Sequence, residues 1–191
     1  MAQPPVIYVL SGPNGSGKST GAAVVLPKIG AHEFVNPDDI LQSLGPGASP
    51  VVAGTIMLRR LRELREARRT FAFETTLAAR SYVRFLKDAQ SAGYFVHLVY
   101  IWLRNPELAK ARVALRVRRG GHDVPTAQIE RRYWRGLRNF FDLYSNVANA
   151  WTLCDNSGTS FVVIAQKRND DQVAVYDTQR YNEITHAAHR S

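Results

Sequence analysis

Residues 10–20 read LSGPNGSGKST, and no other stretch of the chain restricts its fold as strongly. Gly12, Gly17, Lys18 and Ser19 hold the four fixed positions of G-x-x-x-x-G-K-[ST]. Glycines at those positions let backbone N–H groups curl around a phosphate, the lysine ammonium reaches the outer phosphate oxygens, and the serine hydroxyl suits Mg²⁺. The pattern therefore predicts an ATP site built from Gly12, Pro13, Asn14, Gly15, Ser16, Gly17, Lys18, Ser19 and Thr20, with Ser19 as metal ligand. Four fixed positions would occur by chance in roughly one chain in a hundred of this length. The flanks sharpen the match. Val6 to Leu10 is an unbroken apolar, β-branched run of the kind buried in parallel sheets, and Thr20 to Leu26 reads as a helix stopped by Pro27. Strand, glycine loop and helix stand in the order a phosphate-binding loop needs; a glycine-rich turn without a ligand is the plainer alternative.

A chain of 191 residues, 45% of them hydrophobic, is long enough for one well-buried core, so one domain over residues 1–191 is expected. No run approaches the length of a membrane span, and the first residues carry no leader pattern, which points to a soluble, cytoplasmic protein with no membrane partner. The single cysteine, Cys154, excludes an intramolecular disulfide and a cysteine-based zinc site. The net charge of +9 favours anionic partners, from phosphorylated small molecules to nucleic acid.

Apolar runs alternate with helical periods. Glu33–Asn36 reads as a second strand, Ile40–Leu44 as a helix after the Pro37-Asp38-Asp39 break, and 45–50 as a loop. From 51 to 69 a helix carries Met57, Leu58, Leu61 and Leu64 on one face and Arg59, Arg60, Arg62, Arg65, Arg68 and Arg69 on the rest, a solvated face by its pattern. Strands are expected over 71–76 and 94–103, separated by a helix over 81–92. Asn105-Pro106-Glu107 opens a helix to about Arg119, with an N-cap, an N1 proline and a first-turn acid. After Gly120-Gly121, a second helix is expected from 126 to 149 with Ile129, Tyr133, Leu137, Phe140, Tyr144 and Val147 facing the core. Strands over 151–154, 161–166 and 173–176 precede a terminal helix capped by Asp177. The alternation predicts an α/β fold of the P-loop NTPase kinase type, a mainly parallel sheet between helices with an arginine-rich helical lid over about 105–140.

Ligands of such sheets sit at the carboxyl ends of the strands. Asp38, at the end of the second strand, is suited to take a proton from an acceptor hydroxyl, or alternatively to cap the helix from Ile40, a role open also to Asp39. Glu74 can hold a Mg²⁺ water or a substrate hydroxyl, and Thr76 can donate beside it. The 95–103 strand has no acid, so the second protein ligand of a metal is not assigned from the pattern. Arg116, Arg119, Arg131 and Arg132 flank the glycine turn and suit a phosphoryl group in transfer. Tyr133 and Trp134 among arginines keep a rival reading open, a basic ATP-dependent RNA-binding module, although nucleic acid is not the expected partner.

These stretches together carry a resemblance. SGPNGSGKST, FVNPDDI, FETTL, GYFVHLVYIWLRNPELAKARV and RVRRGGHDVPTAQIERRYWRGL resemble the zeta-toxin family of P-loop kinases, over most of residues 6–166. The resemblance implies ATP and Mg²⁺ as cofactors and, as acceptor, a hydroxyl of a nucleotide-linked small molecule such as a UDP-N-acetylhexosamine. It implies Asp38 as base, Lys18 and Ser19 on nucleotide and metal, and Glu74 and Thr76 at the acceptor. Arg116 or Arg119, and Arg131 or Arg132, correspond to its lid arginines. It also raises an antitoxin protein as partner. Another hydroxylated metabolite or antibiotic is the alternative acceptor.

Overall fold

A computed structural model describes residues 3–45, 47–169 and 171–189; Pro46, within the loop expected over 45–50, lies outside the described residues. Among the described residues seven strands form one sheet in the order β2-β3-β1-β4-β5-β6-β7. They are β1 Val6–Ser11, β2 Glu33–Val35, β3 Phe71–Thr75, β4 Phe95–Trp102, β5 Ala150–Asp155, β6 Val162–Arg168 and β7 Ala174–Val175. The first five run parallel, β6 pairs antiparallel with β5, and β7 pairs antiparallel with β6. This is the expected α/β architecture of the P-loop kinase type.

Alternation along each strand divides the core in two. Ile7 and Val9 of β1, Phe71 and Phe73 of β3, and Val96, Leu98 and Tyr100 of β4 point into the larger cluster, beneath helices α3 Pro50–Glu66, α4 Ser81–Ser91, α5 Pro106–Arg118, α6 Thr126–Asn139 and α8 Thr178–His189. Leu10 and Ala72 point the other way, against Ala22 and Leu26 of the segment that follows the glycine loop. Met57, Leu61 and Leu64 of α3 are buried, as their spacing predicts. The arginines opposite them are held at the surface by Glu33 and Glu63: Arg60 lies 3.3 Å from Glu33 and 3.4 Å from Glu63. Arg65 and Arg68 lie over the rings of Phe85 and Tyr94.

Three boundaries differ from the sequence expectation. Helix α1 (Lys18–Val25) starts two residues before the expected Thr20 and ends ahead of Pro27, as expected, but the chain continues into a 3₁₀ turn, Leu26–Ile29, because proline at a turn's first positions lacks only an N–H that would be unpaired anyway. Helix α2 (Pro37–Ser43) starts three residues earlier than expected, with Pro37 at its first position and Asn36 as N-cap, whose Oδ1 accepts from the Asp38 N–H at 3.0 Å. The helix expected to reach 149 runs as α6, a π-helical turn Phe140–Tyr144 and a short α7, Ser145–Val147, and ends when Ala148 becomes extended. Ile129, Tyr133, Leu137, Phe140, Tyr144 and Val147 all face the core.

This last segment fixes the loop between β3 and α4. Asn139 Nδ2 donates to the Leu77 carbonyl at 2.7 Å, Tyr144 Oη donates to the Ala79 carbonyl at 2.5 Å, and Gly136 lets the helix lie directly against the Thr76 carbonyl. A Cβ at Gly136 would overlap that oxygen. Gly136→Ala should therefore lower stability by about 1–3 kcal/mol through forced displacement of the 76–79 loop, read as an earlier midpoint in chemical denaturation.

Candidate active site

The carboxyl ends of β1, β2 and β3 bring the predicted residues together. Glycine loop residues Gly12, Gly15 and Gly17 have φ of 138°, 76° and 89°, the left-handed half of conformational space that glycine reaches without strain. A Cβ on Gly12 would overlap the Ile101 carbonyl of β4, and one on Gly15 would lie 3.0 Å from the Ala109 carbonyl of α5. Packing as well as φ thus demands glycine at both places.

Lys18 is buried at the start of α1. Its Nζ donates to the Gly12 and Pro13 carbonyls at 2.9 and 2.8 Å and lies 3.5 Å from Glu74 Oε1. Burial pushes its ammonium below the ordinary lysine value, and the carboxylates of Glu74 and Asp38 oppose that shift. Ser19 Oγ donates to Glu74 Oε2 at 2.6 Å. The register of the sheet accounts for this: β3 is the immediate neighbour of β1, Leu10 sits opposite Glu74, and the carboxylate faces the loop that β1 feeds. A serine hydroxyl and a carboxylate oxygen side by side form a hard-oxygen pair of the type Mg²⁺ prefers, and the Lys18 ammonium is held beside them by two backbone carbonyls that accept from it, so the residues present fit an ATP·Mg²⁺ complex.

Asp38 stands in the first turn of α2, half exposed, with its Oδ2 3.7 Å from Arg116 of α5. Because Asn36 is the cap, neither Asp38 nor Asp39 serves in that role. Burial, then the charges of Asp38 and Glu74, hold the Asp39 carboxyl above its ordinary value. Arg131 and Arg132, consecutive on α6, point about 100° apart, whereas Arg116 lies within α5 and Arg119 is its C-cap, and the fold separates each pair. Arg116 reaches Asp38 and donates to the His122 carbonyl at 2.8 Å; Arg132 lines the cavity with Asp38 and is partly buried, the Asp38 charge supporting the ionised form that burial opposes. Arg119, the C-cap of α5, and Arg131 are exposed. Gly121 makes room for the Arg116 side chain, whose Cγ would stand 2.6 Å from a Cβ there.

A cavity of about 630 Å³ opens beside these groups, walled by Asn14, Asp38, Glu74, Thr76 and Arg132 and by apolar residues of α2, α3 and α4. Thr76 lies on its wall. One contributor was not anticipated. Asn156, just past β5, donates from Nδ2 to the Ser16 carbonyl at 2.8 Å and props the glycine loop from outside. Its backbone N–H in turn donates to Trp102 at the end of β4. The signal available was positional: Asn156 follows a strand at its carboxyl end, but nothing in Asp155-Asn156-Ser157-Gly158 distinguishes it from an ordinary turn. Among the described residues no cluster of three or more His, Cys, Asp or Glu could hold a metal ion by itself, and no helix is long and apolar enough to cross a membrane.

Comparison with known proteins agrees with this frame. An uncharacterized protein of Haemophilus influenzae is 29% identical over 129 residues, 64% of this chain and 88% of that protein. A crystal structure of the AvrRxo1-ORF1:AvrRxo1-ORF2 complex with ATP superposes with a TM-score of 0.75 at 19% identity, over 96% of this chain. The chain spans 64% of the length of that structure. A structure from the PezAT chromosomal toxin–antitoxin system of Streptococcus pneumoniae superposes with a TM-score of 0.60 at 16% identity, over 85% of this chain and 71% of that one. At such identities the likeness is one of fold. The match to a family model is of a different kind: the AAA domain model covers residues 7–133, well over half of the chain and every residue from Ile7 in β1 through Arg132, and the protein belongs to the AAA domain family.

Proposed function

We propose that the protein is an ATP- and Mg²⁺-dependent kinase that transfers the γ-phosphoryl group to a hydroxyl of a small acceptor bound in the 630 Å³ cavity. The observation that carries this reading is the convergence of Lys18, Ser19, Glu74, Asp38, Arg116 and Arg132 at the carboxyl ends of three adjacent strands. Lys18 and the backbone N–H groups of the glycine loop, Pro13 excepted, would hold the phosphates, and Ser19 with Glu74 would hold the metal. Bound ATP·Mg²⁺ supplies the transferable phosphoryl group and the charge neutralisation that accompanies it. Asp38 is the carboxylate able to accept the acceptor's proton, and it borders the cavity. Arg116 and Arg132 present guanidinium groups across from it, where charge develops in transfer. The α5–α6 hairpin, within the lid span of 105–140, would carry both arginines over the site and exclude water.

The resemblance to zeta toxins favours a nucleotide-linked acceptor such as a UDP-N-acetylhexosamine, and with it an antitoxin protein as partner and a cytoplasmic setting for one kinase unit over residues 1–191. An antitoxin is consistent with the PezAT system being named a toxin–antitoxin system. Another hydroxylated metabolite remains the rival acceptor. Incubation of acceptor panels with ATP, scored by mass spectrometry for gain of one phosphoryl group, tests the reading. Turnover of ATP with no phosphorylated acceptor would overturn it.

Nucleotide binding has its own test. Lys18→Ala removes a charge-assisted contact to phosphate, so ATP should bind about ten- to a hundredfold more weakly by calorimetry in the folded variant. Unchanged affinity would remove the glycine loop from the scheme.

A further inference from the structure

A trans peptide unit is planar, with its carbonyl and its N–H on opposite sides, so whatever holds the Ser16 carbonyl also sets the direction of the Gly17 N–H. Asn156 Nδ2 donates to that carbonyl at 2.8 Å from outside the glycine loop. The facing atom has to be the amide nitrogen, because a carbonyl oxygen can only accept. The Gly17 N–H therefore points away from Asn156 and into the loop. Gly17 is the N-cap of α1 and has no side-chain cap, so the N–H groups that open this helix are left for a ligand. The approach is also close: a Cβ on Gly17, whose φ is 89°, would stand 2.8 Å from Asn156 Nδ2. Glycine at 17 and asparagine at 156 form a matched pair.

Asn156 is itself held by groups that have no part in the glycine loop. Its backbone N–H donates to the Trp102 carbonyl at 3.0 Å. On one side, buried Asp155 accepts from the Ser157 N–H at 2.7 Å and lies 3.4 Å from Arg180 of α8. On the other, Ser157 Oγ accepts from the Arg104 N–H at 2.8 Å. The ends of β4 and β5 and the first turn of α8 thus aim the amide before any nucleotide arrives, and a donor set in advance spares the ligand the loss of ordering it.

We propose that Asn156 is a positioning residue of the nucleotide site: through the Ser16 carbonyl it keeps the Gly17 N–H turned towards the phosphate chain. The proposal deepens the kinase reading and rests on its nucleotide half. It puts a determinant of phosphate affinity just past β5, 140 positions from the residue it acts on.

The test uses the whole protein and two ligands, ATP and inorganic tripolyphosphate, each titrated with Mg²⁺ by calorimetry into the parent, Asn156→Ala and Asn156→Leu. Leucine nearly fills the space of asparagine without a donor and stands in if the alanine variant fails to fold. Both ligands should bind roughly tenfold more weakly to either variant, and by the same factor, because the lost alignment concerns the phosphate chain alone. A nuclear magnetic resonance readout reports on the peptide itself. In the parent the Gly17 amide proton should move downfield when either ligand binds, and in the variants at saturation that displacement should fall by about half or more. A side chain that only stabilised the fold would lower the melting temperature and leave the displacement at saturation intact. Parental affinity in the variants, a loss confined to ATP, which would make Asn156 a contact of the base or sugar, or an undiminished Gly17 displacement would each overturn the proposal. So would failure of the parent to bind tripolyphosphate, or failure of both variants to fold. If the Asn156 variants bind as the parent does while Lys18→Ala binds ATP weakly, the proposal fails and the nucleotide site stands. The expected losses without phosphoryl transfer to any acceptor would leave Asn156 its role and reject the kinase reading.

Discussion

Asp38→Asn should leave melting and ATP affinity nearly unchanged and reduce single-turnover phosphoryl transfer roughly 10²- to 10⁴-fold, the range associated with loss of a positioned base. The stability half of this expectation follows from the surroundings of the side chain. Asn36 already caps α2, so the carboxylate is not needed there, and the variant loses only a first-turn charge and a half-exposed ion pair to Arg116. Each is worth well under about 1 kcal/mol at such exposure. The kinetic half follows from chemistry: asparagine keeps the shape and hydrogen-bonding capacity of aspartate but cannot take a proton. Phosphoryl transfer through a loose transition state moves the acceptor proton late, which favours the lower end of the range. Transfer within a few-fold of the parent would exclude Asp38 as base and direct attention to Asp39, whose carboxyl is already held above its ordinary value, and to Glu74.

Arg132→Ala should lower transfer by on the order of 10²- to 10³-fold at saturating ATP, the usual loss when one pre-set donor to developing charge is removed. Arg131→Ala should change it by less than about twofold and serves as the control, because the two variants remove the same charge from the protein at neighbouring positions. Arg132 is partly buried on the cavity wall with Asp38, whereas Arg131 is exposed on the outer side of α6. Net-charge effects such as long-range attraction of ATP would affect the two variants alike. A basic surface that bound RNA would be hit by either change, and its affinity would fall steeply with salt. Equal loss of transfer from both variants would therefore reject a local role for Arg132.

The amino-acid order by itself determined the local elements and the nucleotide end of the site. The glycine loop is legible because a phosphate-binding loop is written in consecutive residues, whose backbone rather than side-chain neighbours makes the contacts. The core faces of α3 and α6 are legible because burial repeats with the helical period. Capping of α2 was misread for a reason internal to the chain. Asn36 and Asp38 are both good caps, and the choice depends on where the helix begins, which Pro37 settles by taking its first position.

What only tertiary structure decided concerns pairs that sequence spacing cannot order. Arg116 and Arg119, like Arg131 and Arg132, are chemically identical candidates, and they differ only in the direction in which α5 and α6 present them after the hairpin closes on Asp38. Glu74 meets Ser19 across 55 positions because β3 inserts beside β1, an order set by packing of the whole sheet and by no nearby residue. Asn156 meets Ser16 across 140 positions for the same reason, through β4 and β5. Side chains carry chemical identity in the sequence, but direction and distance arise when strands choose their neighbours, and the cavity beside the glycine loop is built almost wholly from such choices.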